Sequence, residues 1–247
     1  MEYEQIKSNE RVKNYGEVFT PPKTVNKMLN LSGIKEHTEL LTSTFLEPSA
    51  GEGAFLTELL HRKMIVAFED SSTLEEYEDN CLIALSTLYG IELMEDNVEM
   101  LVMKMNDVFQ RCYREGLSKF FGKENMDVVR SAMVIIQANM VQGNTLTKLD
   151  GNGNPLIFSE WKLPPKKKGK RQMVQRLEYT FQEIIDGSDE SAGKLNHEGT
   201  TVVKEYSLFD FDYEGNKFPD DEDEIDKKIS YVPVRITEVY KKLTKVE

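Results

Sequence analysis

A carboxylate followed by two glycines is the feature of this sequence with the clearest chemical potential. Residues 47–53 read Glu-Pro-Ser-Ala-Gly-Glu-Gly and come directly after a short apolar run at residues 43–46. Glycines let a backbone approach a ligand closely, and the N–H groups that open a following helix attract an anion. Glu47 can hold an ammonium group at the same place. The segment therefore predicts a site for a ligand that carries both a cation and a carboxylate, and its alternative is a strand-to-helix turn without a ligand.

A second carboxylate, Glu92, stands near the end of the next predicted strand, at residues 89–93. In nucleotide-binding folds, an acid at this position accepts hydrogen bonds from ribose hydroxyls. Taken alone, Glu92 is a surface acid by default, and the preceding glycine loop is what favours the ribose role. A third loop, at residues 142–146, follows the next strand. The amide of Asn144 can bond an adenine edge there, although glycine-asparagine turns are common.

The elements that must position these residues alternate between strands and helices. Apolar spacing predicts strands at residues 43–46, 89–93 and 132–141, and helices at residues 54–61, 77–88 and 97–113. A strand, a glycine turn and a helix in this order open a doubly wound α/β sheet. Ahead of them, Thr20 is the expected N-cap of a helix at residues 22–31, because proline is tolerated in the first helical turn.

Four segments carry a resemblance to a known family. Residues 16–22, 45–55, 90–93 and 143–146 resemble, in order, the cofactor-binding motifs of bacterial and phage adenine-N6 DNA methyltransferases. The resemblance covers roughly residues 15–150 and is closest to type I modification subunits and fused restriction-modification enzymes. It implies a Rossmann-like class I methyltransferase fold with S-adenosyl-L-methionine as the cofactor.

The resemblance also implies a role for individual residues. Thr20 and Pro21 would contact the methionine end of the cofactor, and Glu47 and Gly51 its amino-acid part. Glu92 would bind the ribose, and Asn144, where aspartate is commoner in the family, the adenine. The full set of implied cofactor-binding residues is Thr20, Pro21, Glu47, Pro48, Ser49, Gly51, Gly53, Phe55, Glu92, Leu93, Asn144 and Leu146.

The loop that holds the target adenine in this family is missing in its usual form. There, an Asn or Asp followed by two prolines and an aromatic residue accepts from the N6 amine and stacks on the base. The Pro-Pro pair at residues 21–22 belongs to the first motif, and the pair at residues 164–165 lacks both the polar and the aromatic neighbour. Residues 154–157 are one candidate to replace this loop, but they lack the second proline. The aromatic and acidic cluster at residues 206–213 is a second candidate. Catalytic residues therefore stay unassigned.

Two hypotheses follow from the missing loop. The first is a methyltransferase-type protein that binds S-adenosyl-L-methionine, is weak or inactive alone, and forms one subunit of a modification complex that reaches DNA through a protein partner. The second is a catalytically dead phage or mobile-element protein that acts as a decoy or anti-restriction factor. In that case its acidic stretch would imitate DNA or bind a basic partner.

Charge is segregated along the chain, whose formal net charge is −12. Residues 183–226 hold 15 acidic and 3 basic residues, and residues 162–176 hold seven basic residues and no acid. Alternating patterns at residues 155–162 and 173–181 predict a β-hairpin with a basic tip. The candidate nucleic-acid contacts at this tip are Lys166, Lys167, Lys168, Lys170 and Arg171, and a solvated loop is the alternative. The expected organisation is a cofactor-binding core at 1–150, a hairpin insertion at 151–185 and an acidic C-terminal region at 186–247.

Length and composition bound the remaining possibilities. The 247 residues suffice for one α/β domain with an appendage, and no apolar run approaches the ~20 residues that a membrane span needs. The charged N-terminus lacks a signal-peptide pattern, so a cytoplasmic protein is expected. Cys81 and Cys112 stand alone, without a ligand-spaced Cys or His, which predicts reduced core thiols and no metal.

Overall fold

The computed structural model describes residues 6–187 and 229–246. A three-stranded parallel sheet lies at its centre, with the strands β1 (Phe45–Glu47), β2 (Leu88–Glu92) and β3 (Met140–Gln142) in that spatial order. Glu47 pairs in register with Gly90, and Glu92 with Gln142. Because the strands are parallel, the loops that follow them emerge at one edge of the sheet. This arrangement confirms the α/β class.

Helices connect and cover the strands. Within the described residues they are α1 (Asn9–Tyr15), α2 (Pro22–Leu29), α3 (Lys35–Thr38), α4 (Ala54–Glu69), α5 (Leu74–Ser86), α6 (Glu95–Leu117), α7 (Met126–Asn139) and α8 (Phe181–Asp186). Buried leucines on α4, α5 and α6, among them Leu56, Leu85 and Leu101, form the core with the sheet. The N-terminus of α5 is capped by Thr73, whose hydroxyl accepts from the Glu76 amide, and that of α7 by Asn125.

The predicted β-hairpin is confirmed. Strands β4 (Ile157–Lys162) and β5 (Met173–Thr180) pair antiparallel, and β7 (Val234–Arg235) extends this sheet. Two hydrogen bonds join the hairpin to the parallel unit: the Trp161 indole donates to Asn139 Oδ1 (2.9 Å) in a buried bond, and the Tyr89 hydroxyl donates to the Ser159 carbonyl (2.8 Å) in a partly buried one. The hairpin is therefore packed on the core.

Several predicted boundaries were wrong. The run at residues 132–141, predicted as the third strand, is the second half of α7, and β3 begins only at Met140. The buried residues of α7 repeat at helical spacing, which suits a helix covering the sheet. Thr20 is not the N-cap of α2, because Pro21 takes that position without a side-chain hydrogen bond.

The described C-terminal segment, residues 229–246, consists of short elements. It contains β6 (Ile229–Tyr231), β7, a 3₁₀ segment (Ile236–Lys241) and β8 (Thr244–Val246), with β6 and β8 paired antiparallel. Most of the acidic stretch at residues 183–226 and the whole cluster at residues 206–213 lie outside the described residues. Within the described ranges, no helix is both long enough and apolar enough to cross a membrane.

Candidate functional site

The glycine loop and Glu92 meet at the carboxyl ends of β1 and β2. The Gly51 amide donates to Glu92 Oε2 (2.7 Å), and the Ala50 amide donates to the Ile91 carbonyl (2.9 Å). These two bonds join residues 41 positions apart and fix the loop beside the second strand. The two carboxylates that the sequence singled out, Glu47 and Glu92, thus stand at the ends of neighbouring strands.

Glu92 is the anchor of the site. Its side chain is buried, and Oε1 accepts from the Met94 amide (3.0 Å) and from Asn97 Nδ2 (3.3 Å). Together with the bond from Gly51, these donors stabilise a carboxylate in a low-dielectric place. Each carboxylate oxygen has two lone pairs, so a buried Glu92 retains capacity to accept from a ligand hydroxyl.

Glu47 is held more loosely. It is half-buried, and Oε1 accepts one long bond, 3.4 Å, from the Ser49 amide. Burial raises the pKa of Glu47, and the Ser49 amide partly offsets that rise. A cation placed against this carboxylate would stabilise its charged form, as expected of an ammonium-binding group.

Two adjoining cavities open on this loop. The first, called here the Glu92 cavity, has a volume of about 470 Å³, and the second, the Glu47 cavity, about 570 Å³. Four residues line both cavities, so the glycine loop and the segment before α2 form their common wall: Val18, Phe19, Ser49 and Gly51. Predicted residues that line the Glu92 cavity alone are Pro48, Glu92, Leu93, Asn144 and Leu146, and those that line the Glu47 cavity alone are Thr20, Glu47 and Phe55.

Two predicted residues line neither cavity. Pro21 caps α2, and Gly53 opens α4 with φ +89°, where an added Cβ would lie 2.5 Å from Leu101 Cδ1. Gly53 therefore serves close packing of the loop on α6. Gly51, with φ +53°, faces only the Phe19 ring within 4 Å, at 3.7 Å.

Asn144 organises its own loop. Its Oδ1 accepts from the Leu146 amide (2.9 Å) and the Thr147 amide (3.2 Å), which is a side-chain-stabilised turn. The neighbouring Thr145 hydroxyl donates to the Pro48 carbonyl and so ties the third loop to the first. The sequence predicts an adenine contact for Asn144, with a glycine-asparagine turn as the weaker point of that prediction, and in the structure its Oδ1 stabilises such a turn.

A polar cluster that sequence reasoning missed covers the Glu92 cavity. Asn97 is buried, and its Nδ2 donates to Glu17 Oε1 (2.8 Å) as well as to Glu92. Arg11 donates twice to Asp96, at 2.6 and 2.9 Å. The N-terminal segment thus folds back onto α6. The sequence signal for this cluster was weak. It consists of two cations, Lys7 and Arg11, four residues apart.

The five predicted cations of the basic hairpin tip fall into two groups, those that form ion pairs and those that are exposed to solvent. Arg171 pairs with Glu78 and Asp79, each at 2.8 Å, and Lys166 pairs with Asp79 at 3.2 Å. Asp79 is fully buried, so these two cations neutralise an acid of the core. The other three predicted contacts, Lys167, Lys168 and Lys170, are exposed to solvent.

No further chemical group completes the site within the described ranges. None of the three loops at the sheet edge presents the polar residue, two prolines and aromatic residue that hold an adenine. Among residues 6–187 and 229–246, no group of three or more His, Cys, Asp or Glu side chains could hold a metal ion. Comparisons with models of protein families, with curated proteins and with solved structures find no match to this chain.

Proposed function

We propose that this chain binds S-adenosyl-L-methionine and is of the DNA adenine-N6 methyltransferase type, with a Rossmann-like class I fold. One observation carries the proposal: Glu47 and Glu92 end neighbouring parallel strands, and the Gly51 loop between them is the common wall of two cavities. Parallel strands whose loops bind at the carboxyl edge are the usual architecture of nucleotide sites.

The two cavities suit the two ends of this ligand. Glu92, buried among donors, would accept from the ribose hydroxyls, and Asn144 and Leu146 would border the adenine. Glu47 would meet the ammonium of the amino-acid part, with Thr20 and Phe55 in the same cavity. The cofactor supplies a methyl group on a sulfonium. In this proposal the chain orients the cofactor, because Gly51 lets the backbone approach the junction between the adenosine part and the amino-acid part.

The proposal includes a dependence on a partner. The described residues offer no base-holding loop, so the chain alone would be weak or inactive toward DNA, and a protein subunit would supply contacts to the base and the duplex. Lys167, Lys168 and Lys170 are the cations of the hairpin tip that remain for a phosphate backbone.

A second candidate function has one observation in its favour. Lys166 and Arg171 are engaged by Glu78 and Asp79, which removes two of the five predicted DNA contacts. A decoy or anti-restriction protein needs no such contacts. Transfer of tritiated methyl groups to mixed DNA, with and without the products of neighbouring genes, separates the two. Incorporation supports the methyltransferase, and capture of a restriction or modification subunit without any incorporation supports the decoy.

The ligand assignment is tested by comparing two ligands on three variants. 5′-Methylthioadenosine keeps the adenosine part of the cofactor and lacks its amino-acid part. Loss of a hydrogen bond to a charged group costs about 1.5–3 kcal/mol, or roughly 10- to 150-fold in affinity. We therefore expect Glu92→Gln to weaken both ligands and Glu47→Gln to weaken S-adenosyl-L-methionine alone.

The control for this comparison is Glu99→Gln, an exposed acid on α6 that lines neither cavity. It should leave both dissociation constants unchanged. If Glu47→Gln weakened 5′-methylthioadenosine as much as the full cofactor, the assignment of the Glu47 cavity to the amino-acid part would be wrong.

A further inference from the structure

Residues 7–19, called here the strap, lie over the Glu92 cavity. Residues 15–19 form part of the wall of this cavity, together with Glu92 and Gly51. The Phe19 ring covers Gly51, since a Cβ at that glycine would be 3.7 Å from it. A ligand in the Glu92 cavity would therefore lie between the strap and the sheet edge.

Ion pairs hold the strap in place. Lys7 contacts Glu52 (2.9 Å) and Asp96 (3.0 Å), and Arg11 makes its two bonds to Asp96 and a further one to Glu17. Hydrogen bonds from Arg11, and then from Lys7, hold the pKa of Asp96 well below its usual range, so the carboxylate stays charged near neutral pH.

Apolar packing contributes little to the docking of the helical part of the strap. Helix α1 contains no buried residue. Its attachment therefore depends on charges, of which Asp96 has a side chain 48% exposed and Arg11 one 20% exposed. Exposed pairs weaken as salt shortens the Debye length, from about 10 Å at 0.1 M to about 3 Å at 1 M. Docking of the strap should consequently be sensitive to ionic strength.

Asn97 connects the strap to the site. Its Oδ1 accepts from Lys7 (2.7 Å), while its Nδ2 donates to Glu17 (2.8 Å) and Glu92 (3.3 Å). One buried amide thus bonds both ends of the strap and the carboxylate assigned to the ribose. Opening the strap removes two of the partners that orient Asn97, and with them the constraint on Glu92.

We infer that the strap is an ion-paired closure over the Glu92 cavity, and that Asn97 is the positioning residue that couples its docking to Glu92. The inference rests on the proposed function for the identity of the ligand, S-adenosyl-L-methionine. A ligand bound there leaves when the Lys7 and Arg11 pairs open, so its residence time falls as salt concentration rises.

Docking is tested first without ligand. Hydrogen–deuterium exchange of residues 9–16 should be slowed in the wild type at low salt and should speed up at high salt. In Arg11→Ala it should be fast at both. Lys13→Ala is the matched control, because Lys13 is an exposed cation of the same helix with no ion pair among the described residues. Equal exchange in the wild type and Arg11→Ala would overturn the inference.

Coupling is tested by the dissociation rate of S-adenosyl-L-methionine in stopped flow. Arg11→Ala removes the pairs with Asp96 and Glu17 and should release the ligand about fivefold faster than the wild type, because partly exposed pairs contribute modestly. Asn97→Asp places a third carboxylate against Glu17 and Glu92. It should release the ligand as fast, and in both variants the rate should depend less on salt than in the wild type, because the pairs of Lys7 with Glu52 and Asp96 remain. A purely structural Asn97 would leave the salt dependence intact, and that result would overturn the coupling.

Failure of the inference and failure of the proposed function give different results. If the wild type does not bind S-adenosyl-L-methionine, the proposed function fails, and the exchange experiment still decides whether the strap docks through Arg11. If the wild type binds and Arg11→Ala releases the ligand at the same rate, the proposed function stands and the strap is not a closure.

Discussion

The two glycines of the loop at residues 47–53 should respond differently to the same substitution. Both Gly51 and Gly53 have a positive φ, so alanine at either position is strained. They differ in what a new methyl group would meet. At Gly53 it would lie 2.5 Å from Leu101 Cδ1, and at Gly51 its nearest neighbour is the Phe19 ring at 3.7 Å.

These distances give the expected magnitudes. The left-handed conformation costs an L-residue about 1–2 kcal/mol at each position. Leu101 is fully buried, so it cannot move aside without disturbing the core, and overpacking adds about 1–3 kcal/mol at Gly53. We expect the free energy of unfolding to fall by about 2–5 kcal/mol in Gly53→Ala and by about 1–2 kcal/mol in Gly51→Ala.

Ligand binding should show the opposite order. Gly51 lines both cavities and Gly53 lines neither, so a methyl group at residue 51 narrows the place where the backbone would approach the ligand. Urea denaturation gives the stabilities, and titration with S-adenosyl-L-methionine under conditions where both variants are folded gives the affinities. We expect a loss of about tenfold in affinity for Gly51→Ala, or about 1.4 kcal/mol.

Two outcomes would refute this reasoning. Equal destabilisation by the two substitutions would mean that the contact with Leu101 does not set the role of Gly53. Unchanged affinity in Gly51→Ala would mean that no ligand approaches the backbone at that glycine.

Two further predictions concern buried charges. Lys63 is fully buried and donates to the carbonyls of Leu40, Leu41 and Ser43, so Lys63→Met should cost at least about 2 kcal/mol in urea denaturation. Burial lowers the pKa of Lys63 to about 7, so above pH 7 the unfolded chain binds one more proton than the folded chain. Between pH 8 and 9, the stability of the wild type should therefore rise relative to Lys63→Met by about 1.4 kcal/mol per pH unit, and parallel pH profiles would contradict this. Arg171→Ala should destabilise the fold by about 2–3 kcal/mol, because it leaves the buried Asp79 with a weaker set of partners. The control Lys168→Ala replaces an exposed residue and should change the stability by no more than about 0.5 kcal/mol. Equal effects of the two substitutions on thermal unfolding would show that Arg171 has no structural role.

The sequence supports the core of the site because its signals are local. Glu47 and Gly51 belong to one strand-to-helix turn, and Glu92 ends the next strand, so parallel pairing alone brings them to one edge. The run at residues 132–141 misled for a physical reason. Ten apolar-rich residues suit a buried strand or a helix covering a sheet, and the buried Asn139, which accepts from Trp161, was not visible as a helix end.

Contacts between distant residues could not be predicted in the same way. Arg11 and Asp96 are 85 positions apart, and Arg171 and Asp79 are 92 apart. Nothing in the local pattern of a basic hairpin tip indicates that two of its cations would pair with a buried acid of α5. The docking of the strap could not be predicted for the same reason, since its partners on α6 become neighbours only in the folded chain.

The most direct measurement is isothermal titration of the wild-type chain alone with S-adenosyl-L-methionine. We expect saturable binding at one site per chain with a micromolar dissociation constant, and weaker binding in Glu92→Gln. Absence of binding at cofactor concentrations up to about 1 mM, which limits any affinity to about 4 kcal/mol, would contradict the central claim.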